Sequence, residues 1–223
     1  MNKGENIVFT IFLWHKSTQA QQYYFEQYTT EDGLASSQVR AIFQDDFGYL
    51  WVGTATGLSR FDGKTFTNYT SSKHIVDAQV NAILKRRKGG VWVVTSKGIS
   101  SINNKEIKPI DLTEHLDGQN IFDAEIDSAG NVWCLIYKKG LLKITESGEI
   151  AELHPFNRKY TSISIHNNNA YLSGAGNDIK KVDLRDLSYS IIVTPNKDNP
   201  SRQTRHYSGD TIVATDLYQT FFI

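Results

Sequence analysis

Three tryptophans recur at a constant interval along the chain. Trp51, Trp92 and Trp133 are separated by 41 residues and then by 41 again. Other positions keep the same register: Gly48, Gly89 and Gly130; Val39, Val80 and Ile121; Tyr28, Tyr69 and Ile110. The pattern continues more weakly, with Tyr171 and Ile212 in the tryptophan column. A fixed period of this length indicates a repeat architecture in which each unit packs against its neighbours.

Each unit contains four short apolar runs bounded by Gly, Asp or Asn. In the first unit the predicted strands are Val39–Gln44, Leu50–Thr54, Leu58–Phe61 and Phe66–Thr70. Asp62-Gly63 predicts a type I′ hairpin between the third strand and the fourth. Four strands in about 40 residues predict an all-β propeller blade rather than a solenoid coil, which at this length would need helices. The predicted repeats are 39–70, 80–111, 121–153, 161–193 and 204–223, so about five blades are expected.

The first 20 residues have the pattern of an export signal. Lys3 gives a positive start, Ile7–Trp14 is a short apolar run, and Ala20 ends a small-x-small cleavage site. The run is too short for a membrane span, which needs about 20 apolar residues. We therefore expect a signal peptide over 1–20, a propeller region over 21–223 and a periplasmic or other extracytoplasmic location. The alternative interpretation is a buried first strand.

Charge and cysteine content exclude several classes of function. The chain has 24 basic and 24 acidic residues, so no basic excess is present to neutralise nucleic-acid phosphates. The single cysteine, Cys134, excludes an intrachain disulfide and a cysteine-based zinc site. No phosphate-binding loop, metalloprotease motif or serine-hydrolase motif is present, and we expect no cofactor and no bound metal.

One segment carries a specific resemblance. Val39–Thr54, VRAIFQDDFGYLWVGT, followed by GLSRFDG at Gly57–Gly63, resembles the two-component regulator propeller repeat, and YTTEDGL at Tyr28–Leu34 is similar to its lead-in. The second repeat departs from the pattern, because Arg86-Arg87 replaces the two aspartates and Val94 replaces the glycine after the tryptophan strand.

The resemblance implies a biological setting. Members of the family are extracytoplasmic sensor domains of histidine kinases and related regulators, and they close rings of more blades than this chain supplies. A strand such as 23–30 would complete the last blade of such a ring, so we expect the ring here to be incomplete. A kinase or DNA-binding domain and a membrane segment are expected only in a longer protein, where a dimer is also expected.

A ligand site is predicted at the mouth of the central channel, on the face that bears the loops between second and third strands. The first strands line the channel, and their leading positions are Arg40, Asn81 and Phe122. The neighbouring loops supply Thr56, Lys97 and Tyr137. Arginine grips carboxylates or sulfates, and aromatic rings offer stacking faces to a sugar, so a small molecule or oligosaccharide is the expected ligand. The competing interpretation is that Arg40 and Asn81 only satisfy backbone groups.

Three histidines suggest a second, weaker possibility. His74 and His115 occupy one repeat position, and His154 lies two residues short of the next equivalent position. On one rim they would form a metal or proton-transfer site, whereas the simpler interpretation is exposed loop histidines. They leave open a secreted enzyme resembling streptogramin B lyases, which use a propeller with a catalytic histidine. A protein-interaction scaffold is a third possibility beside the non-enzymatic sensor.

Overall fold

The structure is a computed structural model that describes residues 25–71, 73–103, 106–156, 158–174, 178–193, 203–206, 212–215 and 220–222. The predicted signal peptide lies outside these residues. Antiparallel strands in sequence order form every sheet. The strands of the first two sheets are β1 (Val39–Gln44), β2 (Leu50–Thr54), β3 (Leu58–Phe61), β4 (Phe66–Tyr69), β5 (Val80–Lys85), β6 (Val91–Thr95), β7 (Gly98–Ile102) and β8 (Ile107–Asp111).

The remaining sheets repeat this plan. Their strands are β9 (Ile121–Ile126), β10 (Val132–Ile136), β11 (Gly140–Ile144), β12 (Ile150–Pro155), β13 (Ser162–His166), β14 (Asn169–Ser173), β15 (Ile179–Asp183), β16 (Tyr189–Val193), β17 (Gln203–His206), β18 (Ile212–Thr215) and β19 (Thr220–Phe222). Four sheets have four strands and the last described sheet has three. Innermost strands contact in the order β1, β5, β9, β13 and β17, so the blades follow one another around an open arc. The predicted all-β propeller architecture is confirmed.

The tryptophan column holds neighbouring blades together. Trp51, Trp92 and Trp133 are 3%, 1% and 2% exposed, and each belongs to a different core cluster. Each cluster joins one blade to the next: Trp51 packs in the cluster that contains Val80, and Trp133 in the cluster that contains Ile163. A bulky aromatic in the second strand therefore buries the face that a single blade would leave in water.

An aspartate organises the turn before two of the three tryptophans. The Asp127 carboxylate accepts hydrogen bonds from the Trp133 indole Nε1 at 2.9 Å and from the backbone N–H groups of Ala129 and Asn131. Asp45 bonds Trp51 Nε1 in the same way, at 2.8 Å. These turns therefore satisfy a buried indole donor and the loop backbone with one side chain.

The second blade solves the same problem differently. Arg86 occupies the aspartate position, and the buried Trp92 Nε1 has no hydrogen-bond partner within the described part of the chain. The Arg86 guanidinium lies 5.0 Å from the Trp92 ring centroid, and Glu146 of the next blade accepts the backbone N–H of Lys88 at 3.0 Å. A cation–π contact and a carboxylate from the neighbouring blade thus replace the local aspartate.

Three local features differ from the sequence-based predictions. A type I′ turn needs positive φ at both central residues, but only Gly63 has it, at +96°, because the Asp62 carboxylate accepts the N–H groups of Lys64 and Thr65 instead. A single helical turn, α1 (Thr113–Leu116), lies between β8 and β9. No helix in the described ranges is long and apolar enough to cross a membrane.

The lead-in to the first blade is the third difference. Residues 25–30, the described part of the strand predicted over 23–30, carry no strand. Asp32 Oδ2 accepts the Thr29 N–H at 2.7 Å and so closes a turn. The segment then packs on the first blade, where Asn68 Nδ2 donates to the Gly33 carbonyl at 2.9 Å and the Ala35 N–H donates to Ser59 Oγ at 2.9 Å.

Candidate functional site

The three predicted first-strand residues share one backbone feature. Arg40, Asn81 and Phe122 each lie at a break in the pairing register with the second strand, where two residues face one. Such β-bulges redirect a side chain and are common next to functional sites. In the fourth blade the pairing is regular and the equivalent residue, Ile163, is buried. The bulges therefore turn this column away from the regular pleat in the first three blades only.

The loops between the second and third strands lie at the same edge of the blades. The N–H groups of Ala55, Ser96 and Tyr137 donate to the carbonyl groups of residues 38, 79 and 120, which immediately precede or begin the approach to the first strands, at 3.0–3.1 Å. Within the first two loops, Thr54 Oγ1 and Thr95 Oγ1 donate to the glycine carbonyl three residues on. This repeated pattern places both sets of predicted residues on one rim, which we call the channel mouth.

An aromatic pair is the most distinctive feature of the channel mouth. The Phe122 and Tyr137 rings stack with centroids 4.8 Å apart and an interplanar angle of 24°. Phe122 is 42% exposed, although large apolar side chains are usually buried. Lys138 Nζ lies 5.3 Å from the Tyr137 centroid. The pair thus presents an accessible apolar platform with a cation at its edge.

Asn120 links this platform to Lys97 of the second blade. Lys97 Nζ donates to Asn120 Oδ1 at 2.6 Å and to the Gln119 carbonyl at 3.2 Å, and the Tyr137 N–H donates to the Asn120 carbonyl at 3.0 Å. No carboxylate lies within ion-pair distance of Lys97 among the residues that the structure describes. Its positive charge is therefore held in place without being neutralised.

The other predicted residues are less available. Asn81 Nδ2 donates to the Ile121 carbonyl at 2.6 Å, which matches the interpretation that this amide satisfies a backbone group. Thr56 Oγ1 donates to the Ala35 carbonyl at 3.0 Å. Arg40 is exposed and makes no hydrogen bond or ion pair with the described residues. The structure thus brings Phe122, Tyr137 and Lys97 together and leaves Arg40 and Thr56 on the same rim without a contact that joins them to this group.

The three histidines do not form a common site. His74 lies between β4 and β5, where its Nδ1 accepts the Thr70 N–H at 3.3 Å. His115 lies in α1, whereas His154 is within strand β12 and not in a connection, because the fourth strand of that blade extends to Pro155. In the described ranges no three His, Cys, Asp or Glu side chains are grouped closely enough to hold a metal ion.

Sequence reasoning missed three residues near the channel mouth. Lys138 lies 41 residues after Lys97, so the repeat register could have identified it, whereas Asn120 precedes a strand and gave no periodic signal. Glu125, also on β9, has a raised pKa because it is buried, and the neighbouring Asp123 raises this pKa further. Asp123 in turn accepts the Ile163 N–H at 3.1 Å and so ties the third blade to the fourth.

Comparisons with known proteins agree with this geometry. Residues 33–56 match the sequence profile of the two-component regulator propeller family. The chain carries a two-component regulator propeller repeat. Around this repeat, 60 residues are 43% identical to histidine kinase P4 of Formosa agariphila, a stretch that covers 27% of this chain and 4% of the kinase.

Solved structures extend the match to the whole propeller region. The extracellular domain assigned to a hybrid two-component system of B. thetaiotaomicron superimposes with a TM-score of 0.69 and 18% identity, over 89% of this chain and 31% of that domain. Virginiamycin B lyase from Staphylococcus aureus gives a TM-score of 0.66 and 18% identity, over 80% of this chain and 63% of the lyase. At these identities the likeness concerns the fold, and the chain spans about a third of the extracellular domain.

Proposed function

We propose that this chain is part of an extracytoplasmic ligand-sensing propeller of a two-component regulator, and that its channel mouth binds an oligosaccharide or similar polar nutrient. The propeller repeat and the relatives among two-component proteins support the regulatory setting. In this proposal the chain reaches the periplasm by an N-terminal export signal. The membrane segment, the kinase or DNA-binding region and the dimer contacts belong to a longer protein.

The observation that carries the ligand proposal is the exposed stacked pair of Phe122 and Tyr137. A sugar ring has an apolar face that packs on an aromatic ring, while its hydroxyl groups need donors and acceptors nearby. Lys97 and the Asn120 amide lie beside the pair and provide such groups. Arg40 lies on the same rim and would contact a longer ligand or an acidic substituent.

A binding experiment tests this proposal. The 223-residue chain is titrated calorimetrically with a panel of short gluco-, xylo-, manno- and galacto-oligosaccharides, and the tightest ligand is then used with variants. We expect Phe122→Ala to weaken binding about tenfold, which corresponds to about 1.4 kcal/mol. Tyr137→Ala is expected to have a similar effect, because removing either ring breaks the platform.

Phe47→Ala is the matched control. Phe47 is also an exposed phenylalanine, 66% accessible, but it lies in the turn between β1 and β2, at the opposite end of the strands. Its removal is expected to leave the affinity unchanged. The proposal is wrong if no member of the panel binds, or if Phe47→Ala and Phe122→Ala weaken binding equally.

The lyase alternative has the fold match as its support and no specific catalytic observation. The three histidines that suggested it lie in different parts of the blades, as described above. Incubation of the chain with virginiamycin B and analysis of the products by mass spectrometry separates the two proposals. Linearised virginiamycin would favour the enzyme.

A further inference from the structure

A second cavity lies away from the channel mouth, between the outer strands of the first two blades. Its volume is about 590 Å³, within the range of about 300–1,000 Å³ that is typical of small-molecule sites. We call it the outer cleft, and its lining residues are Arg60, Tyr69, Lys73, His74, Ile102, Asn103, Glu106 and Ile107. The first four belong to the first blade and the connection after it, and the others belong to the hairpin of β7 and β8.

The first-blade wall of the outer cleft carries an excess of positive charge and hydrogen-bond donors. The Arg60 guanidinium is fixed 4.5 Å from the Tyr49 ring centroid and 5.7 Å from that of Trp51, and its buried Nε has no hydrogen-bond partner among the described residues. Neither Arg60 nor Lys73 forms an ion pair there, and the one acidic side chain in the lining is Glu106. The two cations are therefore not neutralised by the protein.

His74 adds an oriented donor to this wall. Its Nδ1 accepts the backbone N–H of Thr70 at 3.3 Å, so the neutral imidazole carries its proton on Nε2. The Tyr69 ring packs edge-on at 5.5 Å and holds the imidazole plane. The histidine can therefore donate from Nε2 without a change in its backbone contact.

The repeat provides an internal comparison for these residues. One period further on, Ser101 stands in place of Arg60, Ile110 in place of Tyr69 and Glu114 in place of Lys73. In that second interface, Leu112 and Leu116 at the two ends of the α1 segment are buried in the core between the blades. Blade packing is thus achieved with small or apolar residues, and it does not require the cationic set of the first interface.

We propose that the outer cleft is an anion site, which binds a small molecule through a carboxylate, sulfate or phosphate group placed between Arg60 and Lys73. Arginine binds such groups through two parallel N–H donors, and a guanidinium already fixed on aromatic rings loses little freedom on binding. His74 supplies a further hydrogen bond. The site is separate from the channel mouth and does not depend on the proposed function.

The test uses three simple anions on the 223-residue chain. Sodium sulfate, sodium phosphate and sodium acetate are titrated at constant ionic strength against sodium chloride, and ¹⁵N–¹H spectra follow the Arg60 Nε–H and the backbone amides of residues 69–75. We expect a saturable change with at least one anion and none with chloride. Comparison of the three affinities shows whether a tetrahedral anion or a planar carboxylate is preferred.

Variants distinguish a built site from charge screening. Lys73→Gln, at an exposed position, is expected to weaken binding about fivefold, and Arg60→Gln at least tenfold. Lys143→Gln is the matched control, because Lys143 occupies the Arg60 position of the third blade and lies 5.3 Å from the Trp133 ring centroid, outside the cleft. The proposal is overturned if all three anions behave like chloride, or if Lys73→Gln and Lys143→Gln change the affinity equally.

Discussion

Replacement of Asp127 by asparagine tests how the blade turns are stabilised. In the native turn one carboxylate oxygen accepts two backbone N–H groups, and the other accepts Asn131 Nδ2 and Trp133 Nε1, both at 2.9 Å. Asparagine retains one acceptor oxygen but places an NH₂ group opposite these two donors. The buried indole N–H of Trp133 is then left without an acceptor.

The expected cost follows from that single unsatisfied donor. A buried polar group that loses its partner destabilises a protein by about 1–3 kcal/mol, and bonds to charged acceptors lie at the upper end. We therefore expect Asp127→Asn to lower the free energy of unfolding by about 2–3 kcal/mol at pH 7, measured by urea denaturation with far-UV circular dichroism.

The pH dependence of this loss has a definite sign. Burial alone would raise the pKa of Asp127, but the hydrogen bonds from Trp133 and Asn131 outweigh it, and the net pKa is lowered. The carboxylate therefore stabilises the folded chain fully above the unfolded-state pKa of about 4, and this stabilisation is lost as the pH falls through the lower folded-state value. The difference between wild type and Asp127→Asn should shrink below about pH 4.

Asp46→Asn is the matched control for this prediction. Asp46 has a side chain that is 70% exposed and pairs with Lys85 at 2.6 Å, so its substitution should cost at most about 1 kcal/mol. If Asp127→Asn is no more destabilising than Asp46→Asn at pH 7, the buried indole bond does not contribute as argued here.

Three further changes probe the blade interfaces and the core. Gly53→Ala should destabilise by about 1–3 kcal/mol in the same urea assay, because its Cβ would lie 2.5 Å from Val80 Cγ1, and an unchanged midpoint would contradict the close packing. Glu146→Ala should cost about 1 kcal/mol, since the Lys88 N–H loses its acceptor from the next blade; a loss below about 0.3 kcal/mol would count against that link. Cys134 should not react with a thiol reagent in the native chain and should react in urea, because it is fully buried and burial raises its pKa, whereas rapid native labelling would contradict the core assignment.

The blade plan could be predicted because the same physical demand recurs in every repeat. Each second strand must bury a face against the next blade, so Trp51, Trp92 and Trp133 keep their spacing while the surface diverges. Features inside a repeat were harder to predict. The Asp62 carboxylate replaces a backbone acceptor in its turn, and the short helix α1 depends on burial of Leu112 and Leu116 against the third blade.

The channel mouth was predicted as a region but not in its contacts. Alternation of first-strand residues indicated which column lies at the rim, yet it gave no sign of the bulges at Asn81 and Phe122, because a bulge depends on pairing with a partner strand. Pairing across blades decided the rest. Asn81 bonds the Ile121 carbonyl of the next blade, and no local sequence signal shows whether an amide will be engaged in that way.

Native-state hydrogen exchange tests the central claim, that each 41-residue repeat is one sheet whose tryptophan strand is covered by the next repeat. Peptides of the 223-residue chain are followed by mass spectrometry without ligand. The account predicts slow exchange at β2, β6 and β10 and fast exchange at the turns 45–49, 86–90 and 127–131, so that protection repeats with the sequence period. Uniform protection, or slow segments that do not follow this period, would contradict it.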